Sequence, residues 1–141
     1  MAPCRSCLHV PGFTAGPPTH RPRLWQALGW ALVAIVIWLS LDPSPPKPPD
    51  FLAWDKAQHG LAYGTLGWWF RQGFAAHRRW PVFLVALGVG LEFLQGLGGV
   101  RMFEVDDMLA NALGVALGTA LAAWTPAGRV LGWLDRRLAA A

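Results

Sequence analysis

The sequence predicts an all-α membrane protein with four transmembrane helices in an antiparallel bundle, followed by a short C-terminal amphipathic helix. Three observations predict it. Of the 141 residues, 54% are hydrophobic and only 14% are charged, whereas soluble domains carry roughly 25% charged residues. Four apolar stretches are long enough, or nearly so, to cross a hydrocarbon core, which takes about 20 helical residues. The Lys and Arg residues fall mainly in alternate connecting segments, the pattern left by retention of positive loops in the cytoplasm.

The first stretch, Leu24 to Leu41, carries no charge. Arg21 and Arg23 precede it as in a secretory signal, but no small-x-small cleavage pattern follows, so it reads as an uncleaved anchor. Asp42-Pro43-Ser44-Pro45-Pro46 opens a proline-rich outer linker over residues 42–50, extended because Pro lacks an amide donor. The second stretch, Ala57 to Phe70, reaches spanning length only if its helix starts near Phe51 and carries Asp55 and Lys56 at its outer end. Trp80 to Val100 holds a single charge, Glu92, and Met108 to Gly128 holds none. Trp25, Trp38, Trp54, Trp68, Trp69, Trp80 and Trp124 lie near these span ends, where an amphipathic ring favours the headgroup layer. Finally, Val130, Leu131, Leu134 and Leu138 recur at helical spacing among Arg129, Arg136 and Arg137. That pattern predicts an interfacial helix over 129–141.

Orientation follows from the charges. Arg5, Arg21, Arg23, Arg71, Arg78, Arg79, Arg129, Arg136 and Arg137 fall on one side; Lys47, Lys56 and Arg101 fall on the other. Nine against three places both termini and the middle loop in the cytoplasm. Asp42, Asp50, Asp55, Glu104, Asp106 and Asp107 gather on the opposite, outer face. Dispersed basic residues bordering apolar spans form no recognition helix or basic stripe, which excludes a nucleic-acid partner. Residues 1–23 read as a disordered cytoplasmic tail, and 24–128 as the membrane domain. Cys4 and Cys7 in the tail supply two of the four ligands of a structural zinc site, so any metal role there would need a partner chain or His9 and His20.

Polar side chains within or beside the spans carry the functional information, because placing them in lipid is costly. Asp55, His59 and Tyr63 follow i, i+4 spacing along one helix face, with Lys56 beside them. Glu92 and Gln95 form an i, i+3 pair in the outer half of the third helix. Arg101, Asp107 and Asn111 lie at the outer start of the fourth. All three clusters fall at one membrane face, where the helices would close them into an outward-opening pocket. Gly60 and Gly64, and Gly114 and Gly118, are small-xxx-small pairs that permit close helix packing, within the bundle or in a homo-oligomer.

At Asp55-Lys56-x-x-His59-x-x-x-Tyr63, Glu92-x-x-Gln95 and Arg101-x5-Asp107-x-x-x-Asn111-x-x-Gly114-x-x-x-Gly118 the sequence resembles the VanZ-like family of small integral membrane proteins. The resemblance covers roughly residues 51–122; the first helix matches in character alone. It implies a multi-pass helical bundle in the bacterial inner membrane. It also implies a link to the cell envelope through the glycopeptide resistance for which the family is named.

Several uses of the clusters remain open. Lys56 and Arg101 would meet an anionic group of an envelope component: a membrane lipid headgroup, a lipid-linked wall precursor or a glycopeptide. Asp55, Tyr63, Gln95 and Asn111 would complete that ligand-binding set. Alternatively His59 and Glu92 would serve as a general acid and base, with Asp107 orienting the imidazole. No GxSxG nucleophile motif is present, and one His among scattered acids is no zinc signature, so no metal or cofactor is expected. A proton or ion path through Glu92 is a third use. The fourth is a polar network that only sets helix register. Interhelical hydrogen bonds average about 0.6 kcal/mol, a small return for retaining so many polar groups.

Overall fold

The computed structural model describes residues 20–44, 46, 54–75, 78–99 and 104–141. The Cys4–Cys7 tail, most of the proline-rich linker and Arg101 lie outside them. The second helix does not start near Phe51: Trp54 is extended, the helix begins at Asp55, and it gains its length by running to Gly73. The described residues form helices and turns, with no strand among them. In chain order the helices are α1 (Pro22–Leu41), α2 (Asp55–Gly73), α3 (Arg79–Gly98), α4 (Val105–Trp124) and α5 (Val130–Ala139), with a 3-10 turn at Pro126–Arg129.

Local chemistry accounts for the helix boundaries. Pro22 opens α1 in the first turn, where a missing amide costs nothing. α3 ends at Gly99, which takes the left-handed conformation at φ 65° and so suits glycine. The fourth apolar stretch was expected to run to Gly128 but stops at Trp124, because Thr125 precedes Pro126 and is driven to an extended backbone (φ −124°, ψ 163°). The Thr125 hydroxyl then accepts from Ala127 N at 3.2 Å and starts the 3-10 turn.

Three helices, α1, α3 and α4, are long and apolar enough to cross a membrane, each with 20 residues. A 20-residue helix spans about 30 Å. Their apolar side chains point outward as well as inward. Leu109, Leu113, Leu117 and Leu121 form an i, i+4 stripe along the outer face of α4, all exposed. A continuous apolar stripe of this kind suits lipid contact and is a liability in water. The nearly as long α2, with 19 residues, is more polar and sits inside the bundle, touching α1, α3, α4 and α5.

Its most extensive contact is with α4, and the two helices run parallel. A methyl group added at Gly114 would strike the Gly60 carbonyl, and one at Gly118 would strike the Gly64 carbonyl. The glycine faces that the sequence offers for close packing are thus turned on one another within one chain. Helices adjacent in sequence run in opposite directions. Trp69 Nε1 near the end of α2 donates to Trp25 O near the start of α1 at 2.9 Å, and Gln95 Nε2 near the end of α3 donates to Ser40 O near the end of α1 at 2.7 Å.

One end of the bundle is filled by aromatic rings. Phe70 and Phe74 stack at 4.3 Å; Trp30 meets both edge to face, Trp80 packs against both at a tilt, and Phe83 meets Trp30 and Trp80 edge to face. Trp25 is buried and Trp68 donates to Ala127 O at 3.1 Å, so several tryptophans expected at the headgroup layer fasten helices instead. Trp38, Trp54 and Trp124 do face outward. At the same end, α5 buries Leu131, Gly132 and Asp135 against the bundle, leaving Val130, Trp133 and Leu138 exposed.

Candidate functional site

The polar cluster lies at the opposite end, where α2 and α4 begin and α3 finishes. Parallel packing of α2 on α4 brings their first turns side by side. Lys56 Nζ lies 2.6 Å from Glu104 Oε2 and 2.9 Å from Asp107 Oδ1. One turn further, His59 Nδ1 is 3.0 Å from Asn111 Oδ1. With Nδ1 protonated, its N–H donates to that amide oxygen, and the Nε2 lone pair is left facing Asp55 and Asp107.

Carboxylates surround this imidazole. Nε2 is 3.8 Å from Asp107 Oδ2 and 3.9 Å from Asp55 Oδ2, while Nδ1 is 3.8 Å from Glu92 Oε1 on α3. These separations exceed hydrogen-bonding distance but keep each charge in direct Coulombic contact. Asp107 divides its two oxygens, one to Lys56 and one toward His59. Glu92 is 2% exposed and Asn111 2%, whereas the Asp55 side chain is 41% exposed. The site therefore runs from an open rim at Asp55 and Glu104 to a buried floor at Glu92 and Asn111.

Gly88 on α3 makes room for that floor. A Cβ there would lie 3.0 Å from Asn111 Nδ2 and 3.2 Å from Tyr63 Cε1. Tyr63 is buried one turn below His59 on the same face of α2, and its hydroxyl has no hydrogen-bond partner among the described residues.

Of the residues singled out from sequence, Asp55, Lys56, His59, Glu92, Asp107 and Asn111 meet in this cluster. Gln95 is buried beside it but donates to the Ser40 carbonyl, tying α3 to α1. Lys56 is committed to two carboxylates and is not a free cation awaiting an anion. Arg101 lies outside the described residues. Sequence reasoning missed Glu104 as a partner of Lys56. Its signal in the sequence is the i, i+3 spacing to Asp107 among the outer-face acids.

A second polar junction, also missed, closes the other end. The Asp135 carboxylate of α5 accepts from Trp25 Nε1 at 2.8 Å, from Arg21 N at 3.2 Å and from His20 N. Burial pushes this carboxyl upward, but the bonds from Trp25, His20 and Arg21 outweigh it and hold the group below its ordinary value. Gln72 Oε1 accepts from Leu131 N at 3.1 Å. The only signal in the sequence was a lone acid in a segment otherwise basic.

Fold and site together define a helical protein of membrane type, with an ionic cluster built from three helices at one end of its bundle. The chain belongs to the VanZ/LLP1 family, whose model matches residues 23–126. The match takes in α1 as well as the motif-bearing helices, beyond the 51–122 that the motifs alone cover. No curated protein and no solved structure matches the chain.

Proposed function

We propose that this VanZ/LLP1-family protein crosses the bacterial inner membrane four times, with both termini cytoplasmic, and uses the His59 cluster on its outer face to recognise an envelope component. The ligand is a lipid headgroup or a lipid-linked wall precursor. One observation carries the reading: Asp55, Lys56 and His59 of α2, Glu92 of α3 and Asp107 and Asn111 of α4 converge at the end of an apolar bundle. So many ionisable groups exceed what helix register requires. The α2 helix, with 19 residues, supplies the fourth crossing, its polar groups shielded by α4.

Among the described residues the cluster holds four carboxylates against Lys56 and His59. An ammonium or hydroxyl of the ligand would meet Asp55 and Glu92, and its phosphate would fall to Arg101. Native mass spectrometry of the purified protein with phosphatidylethanolamine, phosphatidylglycerol and undecaprenyl pyrophosphate tests this. Selective retention of one lipid, lost in Glu92→Gln, is the expected result; equal retention of all three by both proteins would overturn it. A role in glycopeptide resistance would follow only if deletion changes teicoplanin susceptibility.

A second reading is favoured by the imidazole's carboxylate neighbours on both ring nitrogens. His59 would then move a proton to or from a lipid-linked substrate, with Glu92 as its partner and Asp107 holding the ring. Product release from such a substrate, abolished in a folded His59→Ala variant, distinguishes catalysis from recognition.

A further inference from the structure

We propose that Asp55, His59 and Asp107 bind a divalent transition-metal ion of the Mn2+ or Zn2+ class. One ligand atom from each of the three lies within 4.8 Å of the others. His59 Nε2 is 3.8 Å from Asp107 Oδ2 and 3.9 Å from Asp55 Oδ2. Ligand bonds to a small divalent ion are about 2.0–2.2 Å long, so two ligand atoms sharing one sit somewhat closer than this. Movement of roughly an ångström closes the set, and the Asp55 carboxylate at the open rim can supply it by rotating. Two carboxylates and one imidazole are donors that both manganese and zinc accept.

The surroundings of the set fit an ion. Asn111 Oδ1 takes the His59 Nδ1–H at 3.0 Å, leaving Nε2 as the ligating nitrogen; an outer partner of this kind is what orients a metal-bound histidine. Lys56 occupies the other oxygen of Asp107 and is itself balanced by Glu104.

An independent observation points the same way. Tyr63, one turn below His59 on the same helix face, is 2% exposed and its hydroxyl is unpartnered among the described residues. Its ring shares the Gly88 contact with the Asn111 amide. Buried hydroxyls are almost always satisfied, so an unpartnered one beside the Asn111 floor of the cluster leaves a donor for a water or ligand oxygen that the described residues do not supply. Three protein ligands leave coordination positions open for water or for an oxygen of a bound molecule. The site stands whether or not an envelope lipid binds there.

The test uses untagged, full-length protein in detergent, stripped by chelator and titrated with Mn2+, which the Cys4–Cys7 thiols disfavour. Free Mn2+ is counted by electron paramagnetic resonance, and pulsed spectra of the bound ion read nitrogen coupling. The expected result is one saturable ion per chain with an imidazole coupling that His59→Ala removes. Asp55→Asn, at the exposed rim and checked for an unchanged unfolding temperature, should weaken binding by at least about tenfold, the lower end of what loss of a supporting group causes in metal sites. Asp106→Asn, an exposed neighbouring acid, should bind as the parent does. A parent protein that binds no ion, as a protonated His59 held by the carboxylates alone would give, overturns the proposal. So does undiminished binding in folded Asp55→Asn and His59→Ala.

Discussion

The Lys56 ammonium lies 2.9 Å from the Asp107 carboxylate, joining the first turns of two parallel helices 51 residues apart in sequence. The same ammonium reaches Glu104 at 2.6 Å, but the two partners differ in burial. The Asp107 side chain is 7% exposed and that of Glu104 49%. An exposed pair adds little to stability, whereas a buried charge stripped of its partner is costly. Lys56→Met should therefore lower the unfolding temperature in detergent by several degrees, and Glu104→Gln should leave it nearly unchanged. Equal losses in the two variants would show that Asp107 does not depend on Lys56.

Close approach of α2 and α4 depends on the absence of side chains at Gly114 and Gly118. Gly118→Val would press two methyl groups on the Gly64 carbonyl, and such overpacking costs about 1–3 kcal/mol or more when the obstacle is backbone. A marked drop in thermal stability is expected, with Gly90→Val, where nothing lies within 4 Å of an added Cβ, as the tolerant comparison. Comparable stability of the two variants would contradict the packing.

Gln95 separates register from recognition. It donates to Ser40 O at 2.7 Å, so Gln95→Leu should cost about 0.6 kcal/mol, the average for interhelical hydrogen bonds in membranes. Lipid retention and Mn2+ binding should survive it. Their loss would place Gln95 in the ligand site after all.

Asp135 clasps α5 to the start of α1, and its carboxyl is held below the ordinary value of 3.8. A group with a depressed folded-state value stabilises above its unfolded value and loses that contribution as pH falls through the folded one. Hydrogen-exchange protection of α5 should thus hold through neutral and mildly acidic pH, fading only below the usual carboxylate range. Asp135→Ala should remove it at neutral pH. Release of α5 between pH 7 and 5 would rule out this carboxylate as the fastener.

By itself the sequence determined the helical architecture, the family and which polar side chains share a helix face. Those are properties of spacing along the chain. Apolar run length locates α1, α3 and α4, and i, i+4 recurrence places Asp55, His59 and Tyr63 on one face. Tertiary structure alone decided which polar groups meet. Lys56, expected to meet an anionic group of a ligand, is engaged by Asp107 and Glu104. Gln95 turns to α1, and the glycine pairs expected to permit packing in general face one another across α2 and α4. Asp135 acquires its role only because α5 folds back on α1. Periodicity within a helix reports which side chains share a face, but the partner of that face depends on how helices far apart in sequence are rotated and shifted in packing. That choice rests on the fit of small residues and on the pairing of charges across helices, and neither is visible in one helix alone.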